Sequence, residues 1–257
     1  MPIDFSDPAN RTTYSGRSAD PSWRAAAAGW VDAAGRDVVD VGCGGGTYVR
    51  AWLELGASTV TGVDSSAPIL ASAREAHGDL PGAAFVRGDA AATGLPGGSA
   101  DVVFARALVH HLPSPLPLAR EARRLLRPGG RLVVQDRTGA DVQRPGSPDH
   151  LRGWFLELVP RLLDVELARR PDDGQVRGAL REAGLTGIRA LALEETRRAY
   201  PDREAYLAEV ASRTGRSILH ELSDPELAQL VEALRERLPA GPVQERDPWT
   251  VWVATAP

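Results

Sequence analysis

The sequence predicts an α/β fold built on a doubly wound, mostly parallel sheet. Short apolar segments rich in β-branched residues alternate with amphipathic segments of helical period over the first half of the chain. The first apolar segment, residues 37–41, runs directly into a glycine-rich turn. The next two apolar segments are followed by Asp64 and by Asp89. Because parallel strands end at one edge of a sheet, these features should meet there.

Each element of the first half follows from apolar periodicity and from the residues that begin and end helices. Ser22 is a candidate N-cap for the first helix, and Gly35 follows its end. The predicted strands cover residues 37–41, 59–63, 84–87, 101–104 and 131–135, and the predicted helices cover residues 23–34, 47–55, 67–77 and 116–126.

The regular alternation breaks in two places in the second half of the chain. A helix over residues 150–165 is predicted after the first break, and a helix opened by the capping box of Ser223 and Glu226 after the second. A helix at 173–183 and strands at 188–193 and 249–254 continue the α/β pattern. We therefore predict one domain, residues 1–257, with an N-terminal lid over 1–24 and insertions over 141–170 and 196–240.

Composition and charge exclude several kinds of protein. The formal net charge is −4 and both signs are interspersed, so the chain lacks the basic field that nucleic-acid binding needs. No window approaches the roughly 18 apolar residues of a membrane span. A single cysteine, Cys43, rules out an internal disulfide and suits a reducing compartment. With no signal-peptide pattern at its start, the chain is expected to be cytoplasmic, with no nucleic-acid or membrane partner.

The glycine-rich turn carries the strongest chemical signal. Asp40, Gly42, Gly44 and Gly46 form the pattern D-x-G-x-G-x-G, and glycines let a ligand approach the backbone closely. The related G-x-G-x-x-G pattern of dinucleotide-binding folds would need a third glycine at Thr47, which disfavours a dinucleotide-dependent oxidoreductase. The turn therefore indicates another nucleotide-like ligand.

This turn resembles the first motif of class I S-adenosylmethionine-dependent methyltransferases. Residues 100–112 and the L-L-R-P-G-G segment at 125–130 resemble the fourth motif and a turn of the small-molecule branch, which includes the ubiquinone and menaquinone methyltransferases. The resemblance covers roughly residues 35–140 and departs at Gly97 and Ala100, where relatives often carry aromatic residues. It implies a Rossmann-like sheet of seven strands, with helices on both faces and an antiparallel last strand.

The resemblance also implies S-adenosylmethionine as cofactor and a set of residues that hold it. Asp40 would orient the amino-acid end, Asp64 the ribose, and Asp89 with the backbone of Ala90 the adenine; Asp64 could also cap the next helix. The residues predicted to bind this cofactor are Tyr14, Arg17, Asp40, Gly42, Gly44, Gly46, Asp64, Ser65, Asp89, Ala90 and Arg106.

His110 is the candidate catalytic residue. A histidine can take a proton from a hydroxyl acceptor near neutral pH, although methyl transfer can also proceed by proximity alone. For the adjacent His111 we favour a packing role beneath the following helix. Arg106 stands where metal-dependent relatives place an aspartate, and no His/Cys cluster is present, so no metal is expected.

The acceptor is expected to be a small molecule bound by the segments outside the core. Trp154 and Phe155 could line an apolar pocket, and Arg213 and Arg216 could bind an anionic group. The alternatives are buried aromatic residues of an amphipathic helix and solvated arginines. We predict transfer of a methyl group to an O, N or C nucleophile by a monomer or homodimer. A protein or peptide methyltransferase and a non-methylating binding module stay open.

Overall fold

The computed structural model describes Asp7, Arg11 and residues 18–257, and its centre is a seven-stranded sheet. The strands are β1 (Asp37–Val41), β2 (Thr59–Asp64), β3 (Ala83–Arg87), β4 (Ala100–Arg106), β5 (Leu126–Asp136), β6 (Thr186–Tyr200) and β7 (Val243–Thr255). They lie in the order β3-β2-β1-β4-β5-β7-β6, and only β7 runs antiparallel to its neighbours. The predicted fold class is confirmed, including the antiparallel last strand.

Helices cover both faces of this sheet. They are α1 (Pro21–Trp30), α2 (Thr47–Glu54), α3 (Ala67–His77), α4 (Leu116–Leu125), α5 (Gly139–Val142), α6 (Leu151–Leu158), α7 (Arg161–Arg169), α8 (Asp173–Glu182), α9 (Arg203–Ala211) and α10 (Asp224–Arg237). One apolar core joins α1 and α2 to the sheet, and another joins α4 and α8 to it. Within the described residues, no helix is both long enough and apolar enough to cross a membrane.

The end of the predicted lid segment belongs to the core. Helix α1 begins at Pro21 with Asp20, not Ser22, as its N-cap. Trp23 is fully buried, with its ring centroid 5.3 Å from that of Trp52, and its indole N–H donates to Gln135 Oε1 over 2.9 Å. An indole held this way anchors α1 to the sheet, so Trp23 is a core residue. Most of the segment 1–17 lies outside the described residues, and its role as a lid stays a prediction.

The two predicted insertions fold together into one helical layer. This layer, here called the cap, consists of α5, α6, α7, α9 and α10 with the 3₁₀ helix Ser217–Glu221, and it has its own apolar core. The single helix predicted over 150–165 is two helices, α6 and α7. Pro160 separates them because proline disfavours helical backbone in the residue before it and has no N–H to donate.

Strands β6 and β7 are longer than the predicted 188–193 and 249–254, and they connect the sheet to the cap. Beyond the pairing of β5 with β7, residues 193–200 pair with residues 243–249 as a two-stranded ribbon. Tyr200 and Val243 at its far end pack in the core of the cap. The predicted insertion 196–240 therefore begins within a strand, and the ribbon forms one wall of the site.

Candidate active site

A cavity of about 480 Å³ lies between the carboxyl ends of the parallel strands and the cap. The turn after β1 and residues at the ends of β2, β3 and β4 line one part of it. Side chains of the cap and of the β6–β7 ribbon line the rest. This edge of the sheet is where open α/β folds bind ligands, because the loops there diverge from the strand ends.

The glycine-rich turn forms the floor of the cavity at β1. Gly42 and Gly44 line it with φ of 75° and 53°, a region that side chains disfavour, and Gly42 N donates to Val63 O over 2.7 Å. Gly45, which the sequence reasoning did not single out, lines the cavity too. Gly46 is absent from the lining. It is the N-cap of α2, where a Cβ would lie 2.8 Å from His77 Cδ2.

Two carboxylates, those of Asp40 and Asp64, lie beside the turn, and they differ in their hydrogen-bond partners. Asp40 is buried and its Oδ2 has no hydrogen-bond partner. Burial and the nearby Asp64 raise the pKa of Asp40 to about 8. Asp64 accepts from the backbone N–H groups of Gly44 at 3.0 Å and Ser66 at 2.9 Å. The helix-capping role considered for Asp64 is taken by Ser66, whose hydroxyl accepts from Ile69 N.

The remaining predicted cofactor residues at the strand ends also reach the cavity. Ser65, Asp89 and Ala90 line it. Asp89 is exposed, and its Oδ1 accepts from Ala91 N over 2.8 Å, which fixes the carboxylate beside the backbone of Ala90. Tyr14 and Arg17 lie outside the described residues, so their predicted contacts stay predictions.

Arg106 lines the cavity at the end of β4, but its charge is engaged within the protein. Its Nη2 donates to Glu195 Oε2 over 2.9 Å. The guanidinium carbon lies 4.7 Å from the ring centroid of Tyr48 and 4.2 Å from that of Trp249, so the group is stacked between two aromatic rings. Contact between Arg106 and the cofactor stays a prediction.

His110 faces the same cavity and is paired with a buried carboxylate. Its Nδ1 lies 2.9 Å from both carboxylate oxygens of Asp136, which ends β5. Since Asp136 holds Nδ1, Nε2 is the nitrogen left for a ligand. The ring centroid of His111 lies 4.1 Å from that of His110. Burial lowers the pKa of His110 to about 4 and that of His111 to about 3, so both imidazoles are neutral at pH 7.

Three of the residues predicted to contact the acceptor lie outside the cavity lining. Trp154 is buried in the core of the cap, packed against Gly146 so closely that a Cβ there would lie 2.0 Å from the indole. Arg213 donates to the carbonyl oxygens of Leu219 and Leu222 and to Asp224. Phe155 is also in the core of the cap. The amphipathic pattern of 150–165 therefore reflects packing within the cap.

Arg216 does line the cavity, but other residues occupy its guanidinium. It is 1% exposed and donates to Glu245 through Nε and Nη2, to Glu209 through Nη1, and to the Tyr200 hydroxyl. Because every guanidinium nitrogen already donates to a protein group, Arg216 holds the ribbon to the cap. It has no donor left for the predicted contact with an anionic acceptor.

Four arginines on the cavity wall were missed by the sequence reasoning. They are Arg137, which directly follows β5, Arg152 and Arg169 on the cap helices, and Arg197 on β6. The position of Arg137 in the sequence could have predicted its place in the cavity, because it follows a parallel strand and must lie near the strand-end aspartates. Nothing in the sequence around Arg152 and Arg169 could have done so, since their helices show only the mixed polarity of ordinary amphipathic segments.

Comparison with known proteins identifies the kind of protein to which this site belongs. The family model described as a methyltransferase domain matches residues 39–134. Nocamycin O-methyltransferase of Saccharothrix syringae is 34% identical over 238 residues, which cover 81% of each chain. The chain therefore belongs to the methyltransferase family, in its class I branch that uses S-adenosylmethionine.

Other relatives match more locally or by fold. Ubiquinone biosynthesis O-methyltransferase of Cupriavidus pinatubonensis is 37% identical over 113 residues, or 41% of this chain and 45% of that protein; the chain spans about half or less of the first curated relatives that it matches. A methyltransferase from an antibiotic biosynthesis pathway of Anabaena variabilis shares the fold with a TM-score of 0.73 at 20% identity, covering 93% of this chain and 98% of its own.

Proposed function

We propose that this protein transfers the methyl group of S-adenosylmethionine to a hydroxyl oxygen of a small-molecule acceptor, with His110 as the general base. The observation that carries the proposal is that the His110–Asp136 pair and the glycine-rich turn open into one cavity. A donor site and a proton acceptor are therefore close enough to act on one substrate. The two curated relatives described above are both named O-methyltransferases, which supports an oxygen acceptor.

The turn and its carboxylates fit the cofactor. The unpartnered Oδ2 of buried Asp40 suits the ammonium of the cofactor's amino-acid end, because a buried carboxylate without a partner is costly. Gly42 and Gly44 leave room for close approach of the ligand to the backbone. Asp64 and Asp89 would hold the ribose and the adenine. Bound S-adenosylmethionine supplies an electrophilic methyl group on a sulfonium.

His110 would supply the proton chemistry. Its neutral Nε2 would accept the proton that the acceptor hydroxyl loses when its oxygen takes the methyl group. Asp136 keeps the proton of the neutral ring on Nδ1 and stabilises the imidazolium that results. The cap and the ribbon enclose the site, which limits access of water to the reacting atoms.

The proposal is tested by binding and by transfer. Calorimetry should detect binding of S-adenosylmethionine and of S-adenosylhomocysteine; no binding of either to the folded protein would refute the cofactor assignment. Transfer of labelled methyl to a panel of hydroxyl-bearing small molecules then tests the reaction. Binding without transfer to any member would favour a non-methylating binding module.

His110→Gln tests the base. We expect a fall in turnover of about 10²- to 10⁴-fold, with S-adenosylhomocysteine binding unchanged. His220→Gln is the matched control, because His220 lies on the 3₁₀ helix of the cap and is not part of the cavity lining. Equal turnover of His110→Gln and the unaltered protein would show that no general base is used.

A further inference from the structure

A network of buried charges between the end of β5, the cap and the β6–β7 ribbon has one guanidinium more than it has carboxylates. The guanidinium groups are those of Arg137, Arg152, Arg169 and Arg170, and the carboxylates are those of Asp136, Glu166 and Asp247. Since His110 is neutral at pH 7, it adds no positive charge to this group. The network therefore carries one positive charge in excess.

The neighbouring ion pairs do not offset this excess. Arg106 is paired with Glu195. Arg197, Arg198 and Arg216 are paired with Glu209 and Glu245, so this cluster supplies no excess of negative charge. One further cap carboxylate on the cavity wall belongs to Glu221, which lies beside His220.

Arg137 is the least satisfied member of the network. Arg169 and Arg170 each have one buried nitrogen without a hydrogen-bond partner, but both donate to Glu166 through another nitrogen. The side chain of Arg137 is 7% exposed, and its Nε and Nη1 are buried with no hydrogen-bond partner. The carboxylate nearest to it, Asp247, lies 3.5 Å from Nη1 and accepts two hydrogen bonds from Arg152 instead. Burial and the proximity of Arg152 lower the pKa of Arg137 to about 9, as expected for an incompletely compensated buried charge.

The place of Arg137 puts this charge on the acceptor side of the cavity. It follows Asp136, the carboxylate that holds His110, so the two side chains come from adjacent positions at the end of β5. The Trp249 ring is in contact with both Arg137 and Arg106, with the guanidinium carbon of Arg137 5.0 Å and that of Arg106 4.2 Å from the ring centroid. The glycine-rich turn follows β1, two strands away in the sheet.

We propose that the acceptor of this protein carries a carboxylate, which Arg137 binds while His110 acts on the hydroxyl of the same molecule. The inference rests on the proposed function for the hydroxyl, but the anion site can be tested without turnover. A carboxylate would supply acceptors to the two partnerless nitrogens of Arg137 and would neutralise the excess charge. A phosphate dianion would leave the network with a negative charge, so the monoanion fits better.

Binding measurements on the S-adenosylhomocysteine complex test the site. The probes are 3-hydroxybenzoate, 3-hydroxybenzamide and inorganic phosphate, followed by calorimetry or by ligand NMR. We expect the acid to bind at least tenfold more tightly than the amide, and phosphate to bind more weakly than the acid. Arg137→Gln should remove the preference and Arg137→Lys should restore part of it. Arg120→Gln, at an exposed pair with Glu182, is the matched control and should change nothing.

Three results would overturn the assignment. Equal affinity for acid and amide, including no binding of either, would show that no carboxylate site exists. Tighter binding of phosphate would assign the site to a dianion. A tenfold or greater loss of S-adenosylhomocysteine affinity in Arg137→Gln would show that Arg137 holds the carboxylate of the cofactor instead. If methyl transfer later fails with every acceptor while the acid preference holds, only the proposed reaction is refuted.

Discussion

The hydroxyl of Tyr48 donates to Glu195 Oε1 over 2.7 Å and so joins the helix after the glycine-rich turn to strand β6. Glu195 also accepts from Arg106 at 2.9 Å and from Gln135 at 2.7 Å. One buried carboxylate thus connects four elements around the cavity. Because a buried charge that loses its partner is left uncompensated, the carboxylate of Glu195 should matter to folding as well as to the shape of the site.

Glu195→Gln should destabilise the protein by about 3 kcal/mol, since the substitution leaves the guanidinium of Arg106 without a countercharge. Equilibrium denaturation with urea measures the free energy of unfolding. Glu194→Gln is the control: this neighbour is exposed and pairs with Arg144 at the surface, so a change within about 0.5 kcal/mol is expected. Equal effects of the two substitutions would contradict the role given to Glu195.

Gly46→Ala should cost more than the same change at Gly98. Both glycines have positive φ, at 82° and 63°, so each alanine should cost about 1–2 kcal/mol in backbone strain. At Gly46 the added Cβ also meets His77 and Phe85, which adds about 1–3 kcal/mol, whereas Gly98 has nothing within 4 Å. Thermal and urea unfolding of the two variants gives the difference. An equal loss of stability in the two variants would show that the side chains around Gly46 can move to accommodate the added Cβ.

Cofactor binding should release a proton through Asp40. With its pKa raised to about 8, Asp40 is mostly protonated at pH 7 in the free protein. An ammonium group beside Asp40 favours the carboxylate and lowers that pKa, so binding expels the proton. Calorimetric titration with S-adenosylhomocysteine at pH 7, in phosphate and in Tris, reports this as a buffer-dependent enthalpy. Asp40→Asn should abolish the dependence, and an equal dependence in that variant would refute the contact.

The free energy of unfolding should decrease as the pH falls from 6.5 to 4. His110 has a pKa of about 4 in the folded protein and about 6.5 unfolded, so the unfolded chain binds more protons within this window. His110 accounts for about 3 kcal/mol of the decrease. The carboxylates of Glu166 and Glu245, with pKa lowered from 4.5 to about 2, begin to lose their contribution near pH 4.5 and lose most of it below pH 4. Urea unfolding across the range measures the slope.

His110→Gln should flatten that slope between pH 6.5 and 4. His111, with a pKa of about 3, contributes in the same direction and leaves part of the slope in place. A steeper slope in the variant, or stability that rises on acidification of the unaltered protein, would show instead that Asp136 holds a protonated imidazole.

The sequence was sufficient for the fold class and for bringing most of the predicted cofactor residues to one edge of the sheet, because both depend on local patterns. Strands β1 and β4 are marked by buried valines in short apolar segments, and glycine, present at 42 and 44, is the residue that positive φ favours. Asp64 and Asp89 follow from their positions after strands. Such features require no knowledge of distant contacts.

The acceptor side could not be predicted in the same way because it depends on pairs that are far apart in the chain. Charged residues such as Arg197 and Glu245 are ordinarily expected at the solvent-exposed surface, yet these two are buried partners on the two strands of the ribbon. The sequence pattern around Trp154 fits a pocket residue and a core residue equally well. The fold of the cap places it in the apolar core. The excess charge at Arg137 is visible only once its neighbours are known.

The place of β7 between β5 and β6 has a consequence for the order in which the site is assembled during synthesis. The glycine-rich turn, Asp64, Asp89 and His110 all precede residue 112, but Asp247 and Trp249 belong to the last strand. A chain ending at residue 242 would contain every predicted cofactor residue and the proposed general base, but β6 would lack its neighbour and Arg152 its carboxylate. The proposed site for the acceptor is therefore the last to be completed.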